Sequence, residues 1–372
     1  MPGELVLILG AFYALQLLLA ALVLSLPAAR PPAPQPPPRV SVVVAARNEE
    51  ETLGTCLASL AAVRWPRELL EVLVVNDRST DGTAEVIARA AAAHPFVKGV
   101  EAEEATGEVR GKANALAQGI DASTGALLLF TDADCTVPPG WVEETVRSYG
   151  DPATGLAAGF TSLRVRNAFE GMQALDWFFL FGLASAGMRI GFPITAVGTN
   201  LSVRRTAYEA AGGYRGIPFS VTEDYALVRA VVGAGEPPWR AGRRGRFPVA
   251  PGALVESDPC PDAGSLYRQK LRWFAGGRGM SARVMVPFLL DWLFLLLLPV
   301  ALLAGPRDAA LAALGVKLAS EVILAAAVLR PFRKLRLLRH FPLFALYLHL
   351  YVLAFPLVVL VRRKIEWKQR VH

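Results

Sequence analysis

The sequence predicts an α/β domain on a mostly parallel sheet, with transmembrane helices at both ends of the chain. Three observations carry that expectation. Long uncharged apolar runs lie near the two termini, short β-branched runs alternate with helical segments between them, and each short run ends in a polar, turn-rich loop.

Of the 372 residues 53% are hydrophobic, and the formal net charge is +7, a balance that disfavours a purely soluble globular protein. Leu5 to Leu26 carries no charge and has about the twenty residues needed to cross the hydrocarbon core of a bilayer. No basic segment precedes it and it is too long for the apolar part of a cleaved signal peptide, so it reads as a transmembrane helix. Val284 to Ala304, Ala309 to Leu329 and Phe341 to Val361 are of similar length and apolarity. The expected division is therefore residues 1–27 as N-terminal transmembrane helix, 28–39 as Pro-rich linker, 40–282 as α/β domain with interfacial helices, and 283–372 as C-terminal transmembrane region with a basic tail.

The short N-terminus lacks Lys and Arg, whereas the segment after the first helix has many. A multi-pass protein of the cell membrane with a cytoplasmic large domain is expected. Basic clusters at Arg330 to Arg339 and Arg362 to Arg370 flank the last apolar run on both sides. One simple crossing does not satisfy both, whereas a re-entrant or broken segment at Pro356 would. Cys56, Cys135 and Cys260 have no metal-ligand or CxxC spacing, which suits a reducing compartment without a disulfide framework.

Pro27 to Pro38 favours extended backbone and reads as a spacer off the membrane. Val40 to Ala46 is apolar and β-branched at nearly every position, as in a parallel strand covered on both faces. Arg47-Asn48-Glu49-Glu50 is expected to open a helix. Val72 to Val75 is a second strand, running into the loop Asn76 to Thr83, which caps a helix over Ala84 to Ala93. Ala126 to Phe130, preceded by a helix starting near Gly111-Lys112, is a third and ends in Thr131-Asp132-Ala133-Asp134. Arg47, Asp77 and Asp132 thus fall at carboxyl ends of strands, where open α/β sheets bind ligands.

Asp132-x-Asp134 places carboxylates on alternate residues past a buried strand, as a hard cation shared with a diphosphate requires; solubility and turn formation use Asp there too. Asp77 suits a nucleobase or ribose contact, or a cap. Lys112 stands near a helix start, where phosphate charge is favoured, or is an exposed lysine. In Glu223-Asp224, repulsion between adjacent carboxylates raises one pKa toward the range of a general base; a solvated acidic turn is the alternative. Gly198-Thr199-Asn200 and Gly212-Gly213 suit close backbone approach to a ligand, or turns. Gln269, Arg272 and Trp273 share one helix face, offering an amide, a guanidinium and an indole, a combination that also suits a membrane interface.

In this order and spacing, Arg47-Asn48-Glu49, Asp77, Asp132-x-Asp134, Thr222-Glu223-Asp224 and Gln269-x-x-Arg272-Trp273 resemble the inverting family 2 glycosyltransferases of GT-A fold. The likeness is to the membrane-bound branch with ceramide glucosyltransferase-like enzymes and cellulose or hyaluronan synthases, and covers roughly residues 40–277. It implies a Rossmann-like GT-A domain, a nucleotide-diphosphate sugar donor with uridine as the nucleoside, and a divalent metal, Mg²⁺ or Mn²⁺. It also implies roles. Asp77 contacts the nucleoside, Asp132 and Asp134 serve ribose, metal and diphosphate, and Asp224 deprotonates the acceptor with support from Glu223. Gln269, Arg272 and Trp273 hold the diphosphate and line the acceptor entrance, while Arg47, Glu49 and Lys112 are further donor contacts.

Three apolar runs with few polar residues give little material for a polymer channel, so the expected acceptor is a hydroxyl of a membrane lipid. A processive polysaccharide synthase is the second reading, and a non-catalytic nucleotide-sugar-binding scaffold the third; no nucleic-acid partner is expected. Among Asp291, Lys317, Glu321 and His349 in the apolar runs, Lys317 and Glu321 have the spacing of a helix-surface pair. Ala174 to Ile190, rich in aromatics, reads as an amphipathic segment at the membrane surface or as a buried helix.

Overall fold

The computed structural model describes residues 2–28, 30–105, 109–233, 244–276, 282–361, 366–367 and 370–371. In chain order the helices are α1 (Pro2–Ser25), α2 (Leu53–Ala61), α3 (Thr83–Ala93), α4 (Lys112–Asp121), α5 (Trp141–Arg147), α6 (Ala168–Arg189), α7 (Arg205–Ala210), α8 (Gly213–Gly216), α9 (Glu223–Val232), α10 (Ala263–Gly276), α11 (Ala282–Ala304), α12 (Arg307–Leu329) and α13 (Phe341–Val361). The strands are β1 (Val40–Ala46), β2 (Leu70–Asn76), β3 (Val97–Glu101), β4 (Leu127–Phe130), β5 (Thr154–Ala158), β6 (Thr161–Leu163), β7 (Leu201–Arg204), β8 (Arg244–Arg246) and β9 (Val255–Ser257), followed by two-residue strands at Glu366–Trp367 and Arg370–Val371. Two compact units form, one from residues 28–162 and 188–258, the other from 1–27, 163–187 and 259–372. The segment 40–282 is shared between them.

The first unit is an α/β layer structure whose sheet has the order β3-β2-β1-β4-β7-β5-β8. β1 pairs in parallel with β2 and β4, and β2 in parallel with β3; β7 runs antiparallel between β4 and β5. Every residue of β2 and β4 is buried, because helices cover both faces and the strands need no polar side. Val42, Val44, Val72, Val74 and Leu129 pack there with Leu53, Leu57, Leu60 and Trp141 of the helices. Two polar residues interrupt the apolar strands. Ser41 donates to Glu71 at 2.7 Å, and Glu71 also takes Thr124 Oγ1 at 2.9 Å and Lys98 at 3.1 Å, so the start of β1, β2 and the approach to β4 are stapled by one carboxylate.

Residues 47–52 do not open a helix, contrary to the sequence expectation; α2 begins at Leu53. Asn48 adopts φ +54°, a left-handed conformation that Asn tolerates but a helix start does not use. The reason is a lock between loops. Asn48 Oδ1 accepts from the Thr80 amide at 2.9 Å, the Glu49 amide donates to Thr83 Oγ1 at 2.9 Å, and Glu50 Oε2 accepts from the Gly82 amide at 2.7 Å. The Pro-rich segment lies on Gly150, where a Cβ would come within 1.9 Å of the Pro32 carbonyl oxygen.

The second unit is helical. Gly3–Ser25, Arg283–Ala304, Arg307–Leu329 and Leu335–Val358 are long and apolar enough to cross a membrane. Outward residues of α1 fit that solvent, with Ile8 and Leu22 being 65% and 55% exposed. α13 passes through Pro356 without a break, so a broken segment there is not how the flanking basic clusters are accommodated, and most of the cluster after it lies outside the described residues. Lys317 pairs with Glu321 at 2.7 Å as its spacing requires, and the Tyr13 hydroxyl of α1 donates to the same carboxylate oxygen at 2.7 Å. Gln16, also on α1, donates to Asp291 at 2.8 Å. α6 is a buried helix, not an amphipathic surface segment: Phe178 packs on Phe332 at 5.5 Å and Phe179 on Phe344 at 5.4 Å between ring centres.

Candidate active site

The α/β unit gathers polar residues at the carboxyl ends of β2, β1 and β4. The registers Ala46↔Asn76 and Val43↔Phe130 put Arg47, Asp77 and Asp132 on one sheet edge, because parallel strands all point their ends the same way. Asp77 is 5% exposed, and Arg47 Nη1 and Arg78 Nε lie 3.9 and 3.5 Å from its oxygens. Arg78 has φ +57°, a strained position that aims its guanidinium back at Asp77.

Lys112 is the hub of the edge. Gly111 before it adopts φ +59° with ψ −138°, a conformation open to glycine alone. From the first position of α4, the Lys112 ammonium reaches Asp132 Oδ1 at 2.6 Å and Glu223 Oε1 at 3.2 Å. Burial opposes its charge, but Asp132 and Glu223 outweigh it and hold the ammonium well above the usual lysine range. The exposed-lysine alternative is thereby set aside.

Asp224 enters from the first turn of α9. Its Oδ2 accepts from the Gly198 amide at 2.8 Å and its Oδ1 from its neighbour Tyr225 at 2.7 Å. A Cβ on Gly198 would stand 3.4 Å from Lys112 Nζ and 3.6 Å from Asp224 Cβ, ordinary contact distances, so the backbone lies beside both side chains without requiring a glycine. Burial and then Glu223 push the Asp224 carboxyl up to about 6, against Lys112 and the two amides. Asp134 is likewise pushed up to about 6, by burial first and then by Asp132 and Glu49. Both belong to a group in which carboxylates outnumber the ammonium. A cation is what such a group lacks, and oxygen donors of this kind fit a hard divalent ion. Among the described residues no group of three or more His, Cys, Asp or Glu forms a metal-holding set.

Sequence reasoning missed the scaffold behind these groups. Asn200 Oδ1 accepts from the Trp141 indole at 2.9 Å while its Nδ2 donates to the Phe160 and Ala253 carbonyls at 2.9 and 2.8 Å. Thr131, just before Asp132, donates to the Thr199 carbonyl at 2.9 Å. Residues 198–200 therefore tie the β4 end to the Asp224 loop; the tripeptide was visible, its partners were not. Cys56 and Cys135 are free and buried, and burial, then Asp134, pushes both thiols up and keeps them inert. Gln269, Arg272 and Trp273 lie on α10 in the helical unit, with Trp273 5.7 Å from the Trp177 ring.

Residues 41–216 match the family described as Glycosyl transferase family 2. Those residues carry a domain similar to that family. A probable glycosyltransferase, YdaM of Bacillus subtilis, is 27% identical over 257 residues, covering 68% of this chain and 58% of the relative. A poly-beta-1,6-N-acetyl-D-glucosamine synthase of Staphylococcus aureus is 26% identical over 249 residues, covering 66% and 56%. The chain thus spans little more than half the length of the curated relatives it matches. A mannosyltransferase from Pyrobaculum calidifontis, solved with GDP-Man and Mn2+, superposes with a TM-score of 0.61 at 22% identity, over 93% of this chain and 99% of that one. That likeness shows the GT-A fold.

Proposed function

We propose that this chain transfers one hexose from a nucleotide-diphosphate sugar, with uridine as the nucleoside, to a hydroxyl of a membrane lipid, with inversion at the anomeric carbon. The observation that carries the reading is the Asp224 carboxylate: half-buried, oriented by two amides, and lifted to about 6. Such a group is ionised at neutral pH yet basic enough to take a proton in the transition state. One amide on each oxygen leaves a second lone pair free for the acceptor hydroxyl.

In this mechanism the acceptor oxygen forms its bond to the anomeric carbon as the bond to the diphosphate breaks, and the hydroxyl proton passes to Asp224. Glu223 raises the basicity of Asp224, and Lys112 keeps Glu223 and Asp132 in place. Asp77 binds the nucleoside with Arg47 beside it, Glu49 stays near Asp134 as a further donor contact, and Arg272 neutralises the departing diphosphate, which Gln269 helps hold, while Trp273 lines the acceptor entrance. Asp132 and Asp134 would hold a divalent ion, which when bound supplies charge stabilisation to the diphosphate. The Mn2+ in the Pyrobaculum mannosyltransferase supports that assignment, and its GDP-Man makes guanosine the alternative nucleoside to test.

The lipid acceptor is supported by the membrane helices, where Lys317, Glu321 and Asp291 are taken up by Tyr13, Gln16 and one another. That leaves few polar groups to line a polymer channel. The synthase of Staphylococcus aureus among the relatives favours the second reading, a processive polysaccharide synthase. Purified protein given labelled UDP- and GDP-sugars and total membrane lipid decides. Label extracted into organic solvent, and lost on chelation with EDTA, is expected. A high-mass insoluble product overturns the lipid reading, and nucleotide binding without metal-dependent release of nucleoside diphosphate would point to the scaffold.

A further inference from the structure

Within the helical unit, the connection between α12 and α13 carries a charge that its surroundings leave unanswered. Arg307–Leu329 and Leu335–Val358 are both long and apolar enough to cross a membrane, and only residues 330–334 separate them. Crossing by both puts the connection at a bilayer surface. Arg330, Arg333, Arg336 and Arg339 fall there at a spacing of three, and all four are exposed. Between Glu321 and Glu366 the sequence has no acidic residue, and among the described residues none of these four arginines has a carboxylate partner. Arg339 donates once, from Nε to His340 Nε2 at 2.9 Å, which leaves its two terminal nitrogens for an acceptor from outside.

The backbone that carries these arginines is anchored. Phe332 packs on Phe178 of α6 with ring centres 5.5 Å apart, and the His340 ring fills the place where a Cβ of Gly171, also on α6, would stand. The Arg333 amide donates to the Arg330 carbonyl and the Lys334 amide to the Leu329 carbonyl, both at 3.1 Å, which closes the end of α12. Arg333 takes φ +57° in that closure, a place usually given to glycine; the turn itself has no use for a guanidinium. In the 3₁₀ helix Leu335–His340, residues three apart stand one above the other, so Arg336 and Arg339 share a face. The planar fork of each guanidinium matches two oxygens of a phosphate. Leu335 and Leu343 are exposed beside these cations. A partner that meets guanidinium groups and leucines together, at the ends of two apolar helices, holds a phosphate and an acyl chain in one molecule. Nucleic acid or an acidic peptide would answer the charge alone, and a zwitterionic lipid brings its own ammonium and gains less.

We infer that Arg330, Arg333, Arg336 and Arg339 form a docking surface for the phosphate of an anionic phospholipid, with Leu335 and Leu343 against its acyl chains. Positive charge at a helix end also orients a membrane span, but lysine serves that role equally and no bound lipid is needed for it. The docking surface is independent of the transfer reaction and of the acceptor.

The test titrates full-length protein in detergent with phosphatidylglycerol and, separately, with phosphatidylcholine of the same acyl chains, and counts bound lipid by native mass spectrometry. Wild type is expected to prefer phosphatidylglycerol at least about tenfold, as several basic groups at a lipid surface imply. Arg330→Gln, Arg333→Gln, Arg336→Gln and Arg339→Gln together should bring the two lipids to within about twofold, with the melting temperature in that detergent near wild type. The same four positions changed to lysine keep the charge without the fork and should lose most of the preference. No preference in wild type, or a preference that survives in the glutamine variant, overturns the site. Full preference in the lysine variant overturns recognition by guanidinium and leaves only an orienting charge. Glycerophosphoglycerol, the headgroup without chains, should fail to displace phosphatidylglycerol at equal concentration; displacement overturns the contact with the acyl chains. If the fourfold glutamine variant does not fold, Arg336→Gln with Arg339→Gln retains Arg330, Arg333 and Lys334 and should lower the preference at least about threefold. An unchanged preference in that variant also counts against the site.

Discussion

Asp224 shows how much chemistry one side chain takes from its surroundings. With its carboxyl lifted to about 6, the base form predominates at neutral pH and is lost below. Acceptor kcat/KM is expected to fall about tenfold per pH unit below pH 6, read from initial rates over pH 4.5–8. The same shift has a stability sign: a raised carboxyl favours the protonated fold, so ionising Asp224 costs stability as pH rises through about 6. Asp224→Asn should lower kcat by at least about a hundredfold while donor affinity, measured by calorimetry, stays near wild type. Retained turnover in that variant would remove Asp224 from the mechanism.

At the scale of the element, the sheet shows why two polar residues sit in otherwise apolar strands. Burial opposes the charge of Glu71, but Ser41, Thr124 and Lys98 outweigh it and hold its carboxyl down at about 2. The staple therefore stabilises the fold fully above the ordinary glutamate value of about 4.3, and its contribution is lost as pH falls toward about 2. Glu71→Gln should cost about 1–3 kcal/mol, seen in denaturant unfolding of the detergent-solubilised protein at pH 7, with less loss at pH 3. Helix α4 offers a second case. Gly111→Ala places a side chain at φ +59°, a cost of about 1–3 kcal/mol. It should also shift Lys112 and weaken donor kcat/KM at least about tenfold, measured with initial rates.

For the whole molecule, the helical unit depends on charges hidden among apolar helices. Glu321 is fully buried between Lys317 and Tyr13. Removing it by Glu321→Leu leaves an unpaired buried ammonium and should cost about 3–5 kcal/mol, whereas Lys317→Met combined with Glu321→Leu should lie close to wild type. Melting temperatures in one detergent give the comparison. Equal loss in the single and double variants would show that the charges are not coupled.

The strands β1, β2 and β4 and the four long apolar helices were legible in the sequence, because burial on both faces or in lipid demands runs of one chemical type. The residues Asp77, Asp132, Asp134 and Glu223-Asp224 were legible as types at strand and helix ends. That Lys112 joins Asp132 to Glu223, that Gly198 orients Asp224, and that Tyr13 meets Glu321 was not: those partners lie 20, 111, 26 and 308 residues apart in the chain. The false helix start at Arg47 has the same origin, a loop whose hydrogen bonds are made more than thirty residues away. Local spacing determines which element forms and which end carries the polar groups. Only tertiary packing decides which of those groups share a proton, a charge or a ligand, since these interactions act through space over a few ångströms and are blind to sequence distance.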